Sequence, residues 1–499
     1  MSSTIPPITR SISMVNAIMS SKAEMTDLNR QLGTGQVSET YGGLGNDRVV
    51  SIAMRARMSA IDGYLGTADI IDTRLSIVGN VLDRMDAITG DARSTTLIPG
   101  YDLNGGNQSS AQTLTRNYLD EFLSLLNTDV AGRYMFGGRV TDEAPVVSTQ
   151  QLLDGDGARD GFRQIAAERL MADQGSDGRG RFSSSVSANT VTFAEDGVHP
   201  FGFKLAAINA IGSSVSVTAP SGAPATGGIT FTSVPAAGEQ INVTLTLPDG
   251  SEKVIKLTAT TKSPPEDGEF TIGSDVNSTA ANFQSSFDTA LLKAGQVELA
   301  AASAMQASRE FFNIDDANPP LRVDGPPFDT ATGLVAGTPS DTVFWYQGDG
   351  ATDDPRLTAN AKIDDSITAS YGMRANEAAF RNVIASLAVF ATATFSAGDP
   401  NSEDRYRELA AKVTKAFSSE SGEPTVRNVA AQIAGVKASV ESTKERLTLD
   451  RTVAEGVVAN IETADTEEVA VRLLQLQNRL QATYQTTAIL ANLTIMDYL

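Results

Sequence analysis

The chain has 499 residues, no cysteine and a formal net charge of −21, with 60 acidic against 39 basic side chains. That length allows about two to four domains with a sizeable core. The acidic balance disfavours nucleic acid and anionic membrane surfaces as partners, since nothing here would release counterions from phosphates. The lack of thiols excludes disulfides, thiolate metal sites and a cysteine nucleophile.

In chain order, the first segment after Pro7 reads as an amphipathic helix. Ile8, Ile12, Val15 and Met19 occupy one face, and Ile18, Met25, Leu28 and Leu32 continue an apolar stripe that drifts around it. Gly33 and Gly35 suit a left-handed cap at its end. A glycine-rich connector, TYGGLGND, follows at 40–47 and reads as a hinge between two rods. From Asp47 to Ser94, Met54, Met58, Ile61, Leu65, Ala68, Ile71, Leu75, Val78, Leu82 and Met85 hold helical spacing without a proline. Such a helix is roughly 70 Å long at 1.5 Å per residue, which favours a rod or coiled-coil bundle over a globular helix. After a loop at 95–108, Ser109 and Gln112 form a capping-box pattern for a helix to about Asp129 that can fold back on its predecessor.

RYMFGGRVTDEAPVV (133–147) alternates around Gly-Gly and predicts a short β-hairpin. From 148 to 355 the chain is rich in Gly, Thr, Ser, Pro and Asp. Alternating runs at 189–193, 214–218, 229–232, 240–247, 252–258 and 269–272 predict strands, with Asp249-Gly250 a hairpin turn. Helical interludes fit 282–293 and 297–312, and Trp345 is expected in a strand of this middle region. Helix returns at 372–397, after Ser402, and at 425–460. The last helix, 465–499, carries Val469, Leu473, Leu476, Leu480, Thr483, Thr487 and Leu490 at alternating spacings of four and three, the seam of a helix that packs along another. Asp465 and Glu468 cap its start. The same seam fits a C-terminal helix docked on its own domain. The expected fold is α+β: a long antiparallel helical bundle or coiled coil built from both termini, with an inserted β-rich middle domain. Its segments are an assembly helix and linker (1–46), two halves of a rod (47–147 with the hairpin, and 366–460), the β-rich part (148–365) and a C-terminal assembly helix (461–499). The two ends are expected to pack together, because each is an amphipathic rod with no other surface to cover it.

Little here carries catalytic chemistry. His199 is the single histidine, so a His-pair zinc site is excluded, and it is expected at the surface or in a capping role. DGDGARDG (154–161) lacks an oxygen ligand at Ala158 and an acid at Ile165, so Asp-Gly turns explain it better than a calcium loop. DQGSDGRGR (173–181) reads the same way. GGLGND lacks the Lys and Ser/Thr of a phosphate loop. Asp364 and Asp365 read as a solvated turn. No catalytic residue, metal or cofactor is expected. The N-terminus is a poor secretory signal, and no apolar run is long enough for a transmembrane helix.

Both ends of the chain, about 1–147 and 365–499, resemble the flagellin superfamily. LGTGQVSE (32–39) resembles its Leu-x-(Ser/Thr)-Gly turn, and Asp47 followed by SIAMRARMSAI resembles the start of its long second helix. IETADTEE (461–468) and the tail QLQNRLQATYQTTAILANLTIMDYL are similar to its final helix. GGLGND departs from the family's usual Asp-Asp-Pro or Asp-Asp-Ala. Within the superfamily, AGRYMFGGRVTDEAPV is similar to the hairpin of the hook-associated protein 3 family, through Gly132, Tyr134, Phe136, Gly138, Thr141 and Pro145. The resemblance implies a non-enzymatic subunit, exported unfolded through the flagellar type III apparatus, that forms a ring between hook-associated protein 1 and the first flagellins. Its implied partners are copies of itself, those two proteins and an export chaperone on the C-terminal helix. Filament flagellin is the alternative within the superfamily, and a surface-binding module on a helical stalk the alternative outside it. In the assembly reading the interface comprises Ile8, Ile12, Val15, Met19, Leu28, Leu32, Val469, Leu473, Leu476, Leu480, Thr487 and Leu490. Leu476 and Leu480 are expected to find a complete partner surface only in neighbouring subunits.

Overall fold

A computed structural model describes residues 7–97, 101–103, 107–418 and 422–496, with helix side chains described from 12 to 489. The chain begins with α1 (Pro7–Thr34), a 3-10 turn (Tyr41–Asp47), α2 (Arg48–Leu97) and α3 (Ser110–Leu126). A two-stranded hairpin, β1 (Asp129–Val130) and β2 (Arg133–Tyr134), precedes α4 (Thr149–Asp154) and α5 (Phe162–Gln174). Strands β3 (Phe182–Ser187), β4 (Thr190–Glu195), β5 (Lys204–Ile211), β6 (Val215–Ser221) and β7 (Thr226–Phe231) follow. Next come β8 (Gln240–Thr246), β9 (Glu252–Thr260), β10 (Glu269–Thr271), α6 (Val276–Gln296) and α7 (Glu298–Phe312). Two small ladders, β11 (Leu321–Val323) with β12 (Leu334–Ala336) and β13 (Asn360–Lys362) with β14 (Thr368–Ser370), lead to α8 (Ala378–Thr392). The chain closes with α9 (Ser402–Ala416), α10 (Val426–Glu462) and α11 (Thr466–Met496).

The fold is the expected mixture: helices from both ends pack on one another and bracket a β-rich middle in the chain. It divides into two compact units. Unit 1 comprises residues 1–72, 361–369 and 438–499, and unit 2 comprises 73–360 and 370–437, so α2 and α10 contribute to both.

In unit 1, α2 and α10 run antiparallel. Arg451 pairs with Asp62 at 2.6 Å, Lys444 with Asp69 and Asp72 at 2.8 and 3.1 Å, and Arg55 with Glu462 through an Nε hydrogen bond of 2.9 Å. Numbers that rise along α2 meet numbers that fall along α10. Beneath these pairs Ile61, Ala68 and Ile71 are buried, as are Val440, Leu447 and Ala454 at heptad spacing. Partly exposed ion pairs contribute about 0–1 kcal/mol each, so the apolar seam holds the pair and the charges set its register.

Unit 2 is organised on two four-stranded sheets, ordered β3-β4-β7-β6 and β10-β9-β8-β5 and antiparallel except for β10 against β9. Along β8, Ile241, Val243 and Leu245 alternate inward as the pleat requires. They join Phe193, Phe231, Phe270, Phe283 and Phe287 in a core that α6 closes. The Asp249-Gly250 turn forms as expected, with Leu247 N–H donating to Ser251 O at 2.8 Å and Gly250 at φ 84°.

The region differs from the expected elements in three places. Helices α4 and α5 are additional and flank the Asp-Gly turns at 155–161. The inward face of α5 carries Glu168, Arg169 and Asp173 beside Phe162 and Ile165, which hides its amphipathic period. These charges are paired: Arg169 Nε donates to Asp173 at 2.9 Å and Nη2 to Pro200 O at 3.0 Å, and Arg322 holds Glu168 at 2.5 Å. Strands β3 and β5 are additional; FSSSVS and KLAAINAI offer few large β-formers. Trp345 lies in an irregular segment rather than a strand, fully buried, with Nε1 donating to Phe312 O at 3.2 Å.

The capping box of α3 is complete. Ser109 Oγ accepts from Gln112 N–H at 3.2 Å and Gln112 Oε1 from Ser109 N–H at 2.9 Å. Gln112 Nε2 also donates to Phe390 O and Ala393 O at 2.9 and 2.7 Å. Ser109→Ala should therefore cost about 1 kcal/mol in chemical denaturation. Gln112→Leu should cost about 2 kcal/mol or more, since it also strands buried carbonyls.

Candidate assembly surface

The two terminal helices, both in unit 1, pair with one another. The turn after α1 is tied to the link between α10 and α11: Val37 N–H donates to Glu462 O, and Ala464 N–H to Gly35 O, each at 2.9 Å. Gly35 takes φ 68° and caps α1 by donating to Gln31 O at 2.8 Å. This is the physical work of the Leu-Gly-Thr-Gly turn, since a left-handed residue ends a helix most cheaply as glycine. Asp465 starts α11, accepting from the N–H groups of Glu467 and Glu468 at 3.0 and 3.2 Å. The Glu468 side chain pairs with Arg472 at 2.6 Å instead of reaching back. The glycine connector forms a 3-10 turn with Gly45 at φ 61°.

On α11, Val469, Leu473, Leu476 and Leu480 are buried, and the first three cluster with Leu28, Met25 and Val37. Thr487 is half-buried and donates to Met14 Sδ at 3.8 Å. Leu476 and Leu480 thus do not wait for a neighbour: the chain covers them itself. On α1 the covered side is Met14, Ile18, Ser21, Met25 and Leu28, again at spacings of four and three.

The remaining predicted α1 residues lie elsewhere. Ile12, Val15 and Met19 are 54%, 48% and 64% exposed, and Leu32 is 43% exposed. Ile8 and Leu490 fall in helices, but their side chains lie outside the described residues, as do Tyr498 and Leu499. At about 100° per residue, the Ile12–Val15–Met19 stripe sits roughly 130° around the helix from the covered one. α1 therefore has two apolar faces, and α11 covers only one. Exposed apolar side chains continue on unit 1 at Val49, Ile52, Leu449, Val453, Val471, Leu474 and Ile489. Among the described residues, more than half of the exposed large apolar side chains fall in this unit, which holds under a third of the chain. Scattered single residues of this kind need no explanation, but a contiguous stripe marks an interaction surface.

The 131–146 segment belongs to unit 2 and is built as structure. The hairpin expected across Gly137-Gly138 does not form a ladder: the two-stranded ladder lies earlier, at 129–134, and reverses at Ala131-Gly132, with the Gly137-Gly138 turn beyond it. That turn is closed by Tyr134 N–H on Thr141 O at 2.9 Å. Phe136 is fully buried, edge-on to Phe380 at 5.5 Å. Gly138, at φ 65°, donates to Met373 O at 2.9 Å, and a Cβ there would stand 2.7 Å from that of Asp349. Gly132 takes φ 75° and donates to Asp129. Pro145 O accepts from Gln347 N–H at 2.8 Å. The segment laces the end of α3 to the 345–349 and 373–375 strips.

His199 is buried, not at the surface. Its Nε2 lies 2.5 Å from Asp196 Oδ1 and its Nδ1 accepts from Phe201 N–H at 3.2 Å, so neither ring nitrogen is free to activate a nucleophile. Burial pushes the imidazole below its ordinary value, and Lys204 and Arg181 act in the same sense against the pull of Asp196. The unfolded chain protonates His199 at about 6.5, before the folded chain does. Stability from this group is thus complete above that pH and lost as pH falls below it. Thermal melts between about pH 7 and pH 5 should show this loss, and His199→Gln should flatten the slope. The DGDGARDG carboxylates serve arginines: Asp154 meets Arg163 at 3.0 Å, Asp156 meets Arg159 at 2.8 Å and Asp160 meets Arg322 at 2.7 Å. Asp364 and Asp365 are likewise engaged, by Arg446 and Lys362. Among the described residues no helix is long and apolar enough to cross a membrane. Compared with known proteins, the chain matches no family model and no curated sequence.

Proposed function

We propose that the protein is a structural, non-enzymatic subunit of the bacterial flagellum that joins the hook to the flagellin filament by packing its terminal helices against neighbouring subunits. The observation that carries this reading is the second apolar face of α1, Ile12, Val15 and Met19, left uncovered after α11 has docked. Each such side chain contributes about 1.5–3 kcal/mol when fully buried, so repetition around a ring adds up quickly. The resemblance of both ends to the flagellin superfamily supports the class, and the 131–146 motif supports the junction rather than the filament. The proposed partners are copies of this chain, hook-associated protein 1 and flagellin, outside the cell. A chaperone for α11 fits export in an unfolded state, because the α11 seam is covered by α1 once the chain has folded.

Deleting the gene from its host tests this. The expected result is hooks without filaments and flagellin shed into the medium. Normal filaments on the deletion strain would refute the proposal. Copy number separates the junction role from that of a filament flagellin: a small fixed number per filament suits a ring, and a number that grows with filament length suits a flagellin.

A further inference from the structure

Unit 2 contains a cavity of about 580 Å³ between α7, α8, α9 and the turn joining β8 to β9. Its charged lining is Arg309, Arg381, Lys412 and Lys415 against Asp249 and Glu423. In a chain of net charge −21, this excess of cations runs against composition. Asp249 is already matched: Lys412 Nζ stands 2.7 Å from its Oδ2 and 2.7 Å from Ser251 Oγ. Arg309 donates to the Asp249 carbonyl at 3.1 Å, which uses one N–H and leaves its charge uncompensated.

Arg381 is the centre of the arrangement. It is half-buried on α8, and among the described residues Asp315 and Glu423 act on its guanidinium through charge alone, without a hydrogen bond. Burial disfavours its charge, and Asp315 and Glu423 offset that only in part. Beside it, Asn382 Nδ2 is a buried donor with no partner among the described residues. A desolvated guanidinium next to an unpaired amide is costly unless something supplies acceptors.

We propose that this cavity binds a small oxyanion, the carboxylate or phosphate group of a low-molecular-weight ligand, with Arg381 as its two-pronged donor and Lys415 and Arg309 completing the charge. The planar guanidinium fork matches two oxygens of either group. The volume falls within the range of about 300–1,000 Å³ usual for small-molecule sites. The cavity lies wholly within unit 2, so this inference is independent of the assembly role.

Calorimetric titration of the full chain with inorganic phosphate and, separately, with succinate at low ionic strength provides the test. One saturable site per chain is expected for at least one probe, and the tighter probe identifies the source of the oxyanion. Arg381→Gln should weaken binding on the order of tenfold or more. Lys415→Gln, at an exposed position, should keep the fold and weaken binding about threefold, and it decides the matter should Arg381→Gln fail to fold. Absence of saturable binding by both probes, or binding unchanged in the folded variants, overturns the proposal.

Discussion

A chain carrying Ile12→Asp, Val15→Asp and Met19→Asp should melt as the parent does and yet fail to join an assembly. All three side chains are about half exposed or more, so the folded monomer loses little by their removal. In an assembly that buries the stripe, the loss is about half of the 1.5–3 kcal/mol that full burial contributes, because each side chain is already about half covered. Three together, roughly 2–4 kcal/mol, amount to about a hundredfold in affinity, even before the cost of burying carboxylates. Circular dichroism and sedimentation of the monomer should therefore match the parent, while incorporation into filaments in a complemented deletion strain is abolished. Leu473→Asp should do the reverse. It strikes the covered seam with Leu28 and Met25, so the monomer itself should lose helix and its terminal segments should become protease-sensitive.

Phe136→Ala should cost about 3–5 kcal/mol of stability, the usual range for emptying a fully buried aromatic site. Its ring is packed edge-on against Phe380, and its backbone carbonyl accepts from Ala375 N–H at 2.8 Å. The loss falls in unit 2, as a shifted denaturation midpoint, while the α1–α11 pairing in unit 1 persists. Gly138→Ala should also destabilise, because the residue needs a left-handed backbone and its Cβ would press on Asp349. Thus the motif that resembles a junction-protein signature holds unit 2 together, and its effect on assembly would follow from that.

Much of the fold can be read from local patterns with a mechanical cause. The capping box at Ser109 and Gln112, the left-handed Gly35 and the Asp249-Gly250 turn each announce an element boundary, and each occurs. Alternation finds β8 and β9 because large β-branched residues mark the buried side. It does not find β3, where serines occupy the strand, or α5, where an inward Arg169 is satisfied by Asp173, by the Pro200 carbonyl and by Glu310, the last more than a hundred residues away. The terminal helices are legible as heptads, but the choice of face is not. Spacing on α1 fits Ile12, Val15 and Met19 as well as Met14, Ile18 and Met25, and only the position of α11 decides which set is covered. The cationic cavity is not legible at all, because Arg309, Arg381 and Lys415 come from three helices far apart in the chain.

The absence of cysteine allows a direct measurement of whether the outer face of α1 is buried by neighbours. Val15→Cys places one thiol on that face, and Leu476→Cys places one on the covered seam. The Val15→Cys thiol should react rapidly with a maleimide in the monomer and be protected once subunits assemble, whereas the Leu476→Cys thiol should react slowly in both. Equal reactivity of the Val15→Cys thiol before and after assembly would contradict the claim that this face is the contact between subunits.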